Sequence, residues 1–96
     1  MSEMYVSNYK IYNKSIPSAN TEVSQALSEG ASYFEIKARN PAHEIKVAFV
    51  AEESGTNYFT ISPSGNWYTK GRIVGSVTLY IQSPQAGAVA EIIEAR

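Results

Sequence analysis

Tyr58-Phe59-Thr60-Ile61, Ser62-Pro63-Ser64-Gly65-Asn66, Trp67-Tyr68-Thr69-Lys70-Gly71, Val77-Thr78-Leu79-Tyr80-Ile81-Gln82-Ser83, a Pro84–Gly87 turn and Ala88 to Arg96 form the stretch that decides the fold. Short runs alternate apolar and polar residues, and a Gly, Pro, Ser or Asn cluster closes each one. That is the pattern of successive β-strands. Val77, Leu79 and Ile81 make an inward face, with Thr78, Tyr80 and Gln82 outward. The last strand sets Val89, Glu91 and Ile93 against Ala90, Ile92 and Glu94. The turns between these strands carry no nucleophile–base pair and no cluster of metal ligands.

Working toward the N-terminus, Ala31 to Arg39 places Phe34, Ile36 and Ala38 on one side, opposite Tyr33, Glu35, Lys37 and Arg39. This is a half-buried antiparallel strand. Asn40-Pro41-Ala42-His43 is a turn. Beyond it Ile45, Val47 and Phe49 oppose Lys46, Ala48 and Val50, and Glu52 to Asn57 is a polar loop with Gly55 expected at positive φ. Thr21 to Leu27 alternates as a strand, although Val23, Ala26 and Leu27 also fit a short helix. Met4 to Tyr12 is strand-like with neither face cleanly apolar, and Asn13 to Asn20 reads as a loop or extended edge. The expectation is an N-terminal arm over 1–20, with one possible strand, and an all-β sandwich over 21–96. The sandwich has about seven or eight short antiparallel strands in a jelly-roll-like or Ig-like topology.

Composition narrows the class. At 96 residues the chain is one domain. Charged residues are 18% of the chain, below the globular norm, while seven Tyr and one Trp argue against disorder. Low charge with many aromatics is also how interface cores are composed. No cysteine is present to staple so small a core, so association is a natural further source of stability. Net charge is −1 and the basic residues are scattered, so no nucleic-acid partner is expected. The start Met1-Ser2-Glu3-Met4 has no signal-peptide pattern, and no apolar run approaches the about 20 residues that span a bilayer. Neither membrane nor secretion is expected, and synthesis in a cytoplasm is the default.

The chemical inventory is short. His43 is the only histidine, and all nine acidic residues are glutamates. A Ser-His-acid triad would need His43, which a turn should leave exposed. One histidine does not make a zinc site, and no alternating Asp/Asn run supplies a calcium loop. Glu35, Glu44, Glu91 and Glu94 could pair for glycoside hydrolysis, but alternation makes most of them outward solubility charges. No catalytic, metal-binding or cofactor-binding residue is assigned, and enzyme activity is not expected. The aromatics carry more. Trp67 and Tyr68, with Tyr58 near in sequence, could form a stacking platform for a sugar; the preferred reading puts Trp67 in the core or an interface. Tyr33, Tyr68 and Tyr80 are expected on outward faces of neighbouring strands, making one apolar patch.

One arrangement of these features is familiar. Thr21-Glu22-Val23 leads into Phe34-Glu35-Ile36-Lys37-Ala38-Arg39-Asn40, followed by the Gly55-Thr56 loop and the Pro63-Ser64-Gly65 turn into a Trp/Tyr strand. The chain ends Gly75-Ser76-Val77-Thr78-Leu79-Tyr80-Ile81-Gln82-Ser83, then Gln85-Ala86-Gly87-Ala88-Val89-Ala90-Glu91-Ile92-Ile93-Glu94. From Asn20 to Arg96 this layout resembles small β-sandwich accessory structural proteins of tailed bacteriophage virions, of the head-decoration or head-fibre-base type. The resemblance implies a non-enzymatic virion protein, made in the host cytoplasm, that decorates or cements a capsid. Its partners would be the major capsid protein or other virion proteins, and the chain would form a homo-oligomer, a trimer being favoured. The expected contact residues are Tyr5, Tyr9 and Tyr12 of the arm and Tyr33, Tyr68 and Tyr80 outside the sandwich. The competing expectation is a carbohydrate-binding module for host-surface glycans, stacking sugars on Tyr58, Trp67 and Tyr68.

Overall fold

The computed structural model describes residues 9–31, 33–70 and 77–95. Within them run eight strands: β1 (Tyr9–Ile16), β2 (Val23–Ala26), β3 (Tyr33–Ala38), β4 (Ile45–Ala48), β5 (Phe59–Ile61), β6 (Asn66–Lys70), β7 (Thr78–Gln82) and β8 (Ala88–Ala95). Their pairing follows one rule. β1 runs antiparallel to β8, β2 to β7, β3 to β6 and β4 to β5. The first half of the chain therefore pairs with the second half run backwards, as one long hairpin whose apex is the β4–β5 loop. Two more antiparallel ladders, β3 with β8 and β4 with β7, roll that hairpin up. The result is two four-stranded sheets, β1-β8-β3-β6 and β2-β7-β4-β5. This is the eight-stranded jelly roll, so the expected all-β sandwich forms, and in the first of the two topologies left open.

Alternation builds the core between the sheets. Phe34 and Ile36 of β3, Ala88, Ala90 and Ile92 of β8, Ile45 and Val47 of β4, and Leu79 and Ile81 of β7 are all buried in one cluster. Each large aliphatic side chain there contributes about 1.5–3 kcal/mol relative to exposure. Val23 and Gln25 face Ile81 and Leu79 across the β2–β7 ladder, which settles the segment as strand and not helix.

The N-terminal stretch departs most from expectation. Tyr9 to Ile16 is a full strand of the sandwich, laddered to β8 from Tyr9↔Ala95 to Ile16↔Ala88. Asn13 to Ile16 is therefore an extended edge, the second of the two expected alternatives, and its end is pinned where the Gly87 N–H donates to Ile16 O at 3.0 Å. Residues 1–8, with Tyr5, lie outside the described residues. In the β4–β5 loop it is Glu52, not Gly55, that takes positive φ, at 68°. Gly55 instead lies over the Gln82 side chain, where an added Cβ would sit 3.5 Å from its amide oxygen. The β5–β6 turn does need its glycine. Ser64 turns left-handed (φ 65°), the Gly65 N–H donates to Ser62 O at 2.8 Å, and a Cβ on Gly65 would meet that oxygen at 2.9 Å.

The two open sides of the sandwich are closed by different chemistry. On the β5–β6 side Trp67 packs edge-on to Phe34 (centroids 5.1 Å) and against Phe59 (4.9 Å), which stacks on Phe49 (6.0 Å). Such aromatic pairs add about 0.5–1.5 kcal/mol each beyond the area they bury. On the β1–β2 side closure is polar. Glu94, expected with most of the glutamates on the outside, points inward from β8 and is only 3% exposed. The Tyr12 hydroxyl donates to its Oε1 at 2.6 Å and the Ser28 N–H at 2.9 Å. Burial alone would push this carboxyl up, yet the two hydrogen bonds, with help from the nearby Lys10 charge, hold its pKa below 4.5.

Candidate interaction face

The two outer faces of the sandwich differ. Over β2-β7-β4-β5 the chain covers only the end near Gln82, leaving Ser24, Ala26 and Thr60 exposed. Glu22, just before β2, accepts from the Ser54 hydroxyl (2.5 Å), the Ser54 N–H (3.1 Å) and the Glu52 N–H (2.8 Å). The Ser54 hydroxyl also lies 3.0 Å from the Gln82 side-chain oxygen, and Ser54 and Gln82 are both buried. Three donors on one carboxylate outweigh its partial desolvation and hold the Glu22 pKa down. These bonds strap the β4–β5 loop across the sheet.

Over β1-β8-β3-β6 no described segment lies. Ladder register sorts its outward residues into rows. One row is Ile11, Ile93, Glu35 and Tyr68; another begins Tyr9, Ala95, Tyr33; a third is Asn13, Glu91, Lys37 and Asn66. Tyr9 is 64% exposed, Ile11 66% and Tyr68 55%. The Tyr33 and Tyr68 rings lie 6.4 Å apart at 36°. The face thus has an apolar half made by Tyr9, Ile11, Ile93, Tyr33 and Tyr68. A shallow depression of about 240 Å³ runs between Ile11, Ile93, Glu35 and Lys37.

The other half is charged but internally matched. Arg39 Nε donates to Glu91 at 2.9 Å, Lys37 Nζ lies 3.4 Å from the same carboxylate, and Arg39 Nη2 reaches Asn13 Oδ1 at 2.8 Å. The Arg39 hydrogen bond foremost, then Lys37, holds the Glu91 pKa below its ordinary value against the opposing effect of burial. Tyr33 donates to Glu35 Oε1 at 2.6 Å and the Asn66 amide to Oε2 at 2.5 Å. The Glu35 bond, with burial and the charge of Glu35 behind it, pushes Tyr33 up to about 12. Exposed ion pairs of this kind add little stability. Their consequence is different: pairing within the sheet lowers, without removing, the desolvation cost when a partner covers them.

Of the six tyrosines expected at contacts, the structure gathers Tyr9, Tyr33 and Tyr68 on this face. Tyr80 stands on β7, opposite Ser24 and Ala48, and so on the other sheet. Tyr12 points inward against the core. Tyr5 lies outside the described residues. Ile11 and Ile93 belong to the face, and sequence reasoning missed them as site residues. Their signal was present, since Ile11 shares parity with Tyr9 and Ile93 with Glu91, but only the β1–β8 register joins them. The three rings proposed for sugar stacking do not share a surface. Trp67 packs inward from β6, Tyr68 points outward from the same strand, and Tyr58 adjoins the other sheet with Lys46 Nζ 4.9 Å from its ring centre. His43 is half-buried where exposure was expected, its Nδ1 enclosed and without a hydrogen-bond partner among the described residues.

Among the described residues no group of three or more His, Asp or Glu could hold a metal ion, and no helix is long and apolar enough to cross a membrane. Set against protein-family models, curated proteins and solved structures, the chain matches none.

Proposed function

We propose that this chain is a non-enzymatic structural protein that decorates or cements a bacteriophage capsid, docking through the outer face of β1-β8-β3-β6. The observation that carries the reading is the asymmetry between the two outer faces. One is strapped at one end by the chain's own loop through Glu22, Ser54 and Gln82, and its strands show polar Ser24 and Thr60 to water. The other leaves Tyr9, Ile11 and Tyr68 more than half exposed beside charges that are already paired. A contiguous apolar patch on a small domain marks an interaction surface, and aromatics rimmed by neutralised polar groups are how such surfaces are composed. The jelly roll is a fold of viral capsid and lectin domains, which supports the setting by analogy. Many weakly held copies on one lattice would act together, so each contact can be modest.

The test is co-sedimentation. Capsids of the source phage, prepared without this protein, are mixed with the purified chain and examined by cryo-electron microscopy. Ordered extra density at a fixed lattice position is expected. A chain that stays in the supernatant at every ratio overturns the proposal.

A further inference from the structure

A second surface lies on the opposite sheet, at the loop end of the β4–β5 hairpin. Here a cleft of about 320 Å³ is lined by Phe49, Val50, Glu53, Asn57 and Tyr58 over a floor from β4 and β5. Phe49 is 49% exposed and Tyr58 39%. Phe49 is the outer end of the aromatic stack that closes the β5–β6 side. It stacks on Phe59 at 25° and meets the edge of Trp67 at 6.2 Å, so its ring is held from behind while about half of it faces water.

Polar groups frame these rings. The Asn57 amide donates to Glu53 Oε1 at 3.2 Å and the Asn57 N–H to Glu53 O at 2.9 Å. Among the described residues nothing is hydrogen-bonded to Glu53 Oε2. Lys46 Nζ stands 4.9 Å from the Tyr58 ring centre. The loop that presents Glu53 is the one anchored to Glu22 through Ser54 and Glu52, so the frame is fixed before anything binds.

We propose that this cleft binds a neutral hexopyranose unit of a glycan. A pyranose ring has a C–H face that packs on an aromatic ring, and a rim of hydroxyls that donate to a carboxylate and exchange hydrogen bonds with an amide. Phe49 and Tyr58 supply the first, and Glu53 with Asn57 the second. The volume is at the small end of the range for ligand clefts, which suits one sugar ring and not a long ligand. Lys46 and Glu53 set one charge of each sign beside the rings, so the cleft has no excess positive charge to draw sialic or uronic acids. The site uses Tyr58, one of the residues expected to stack sugars, but with Phe49 in place of Trp67 and Tyr68. It is independent of the capsid-docking face, so loss of one function leaves the other measurable.

The experiment is a titration of the ¹⁵N-labelled chain with the methyl glycosides of glucose, galactose, mannose and N-acetylglucosamine, and with N-acetylneuraminic acid, followed by amide chemical shifts. At least one neutral glycoside is expected to give saturable, millimolar-range shifts at Phe49, Glu53, Asn57 and Tyr58, with N-acetylneuraminic acid giving none. Phe49→Leu, which keeps an apolar side chain but removes the ring, should weaken binding tenfold or more, and so should Glu53→Gln. Tyr68→Glu should leave it unchanged. An unchanged amide spectrum away from the cleft shows that each variant is folded. No shift at the cleft with any neutral glycoside, shifts that map elsewhere, equal binding of the acidic sugar, or full binding by folded Phe49→Leu each overturns the proposal.

Discussion

Glu94 shows how far one side chain can depart from its pattern. On β8 the two parities are Val89, Glu91, Ile93 and Ala90, Ile92, Glu94, each with two apolar residues and one acid. Polarity alone cannot say which acid is inside; the Tyr12 hydroxyl and the Ser28 N–H decide it. Glu94→Ala strands both donors in a buried site and should cost about 1–3 kcal/mol in chemical denaturation. Glu94 and Glu22 both hold pKa values below 4.5 in the folded protein. The stability they contribute is complete above pH 4.5 and is lost as pH falls through their folded values. Glu94→Gln should therefore flatten the acid limb of the stability curve, and an unchanged limb would show that Glu94 is not linked to folding. Tyr33 works in the opposite direction. Its pKa is raised from 10.0 to about 12 by the bond to Glu35, so its contribution is complete below pH 10 and is lost as pH rises through about 12. Absorbance titration at alkaline pH should show a late tyrosinate step that Tyr33→Phe removes.

At the scale of elements, alternation is legible and sheet membership is not. The strands over 33–38, 45–48, 78–82 and 88–95 follow directly from period-2 patterning, and in the first three Phe34, Ile36, Ile45, Val47, Leu79 and Ile81 are inward as the pattern indicates. What no single strand encodes is its neighbour. Tyr33, Tyr68 and Tyr80 all point outward, yet β7 sits between β2 and β4, so Tyr80 belongs to the far side of the molecule. β1 was obscured for the same reason. The residues of its inward parity, Lys10, Tyr12, Lys14 and Ile16, are half polar because it is an edge strand, and Lys10 stays exposed. Edge strands with lysines are how sheets discourage further pairing, and they read poorly as core. The β4–β5 loop offers a test at this scale. Ser54 is its main tie to Glu22 and Gln82, and Ser54→Ala removes the shared hydroxyl while leaving the backbone donors in place. The Glu52 and Ser54 amides, both bound to Glu22, should then exchange with solvent about tenfold faster, corresponding to about 1.4 kcal/mol of lost protection. Exchange at β3 and β8 amides should not change.

Across the whole molecule, a long hairpin rolled into a jelly roll has two outer faces, and the chain's own loop straps one end of one of them. Low charge and abundant tyrosine raise the expectation of a partner surface, and the face proposed for it is assembled only by the β1–β8 and β3–β6 registers. Each of Ile11, Tyr9 and Tyr68, if fully covered by a partner, is worth up to about 1.5–3 kcal/mol. Repeated over many lattice positions, that is enough to hold a small protein on a shell. The most direct measurement compares capsid occupancy by quantitative co-sedimentation for the native chain, the double variant Ile11→Lys/Tyr68→Glu and the far-face variant Ser24→Glu. The native chain and Ser24→Glu should saturate the capsid equally while the double variant, still folded by circular dichroism, falls at least tenfold in affinity. Equal occupancy by all three would contradict the claim that the outer face of β1-β8-β3-β6 is the docking surface.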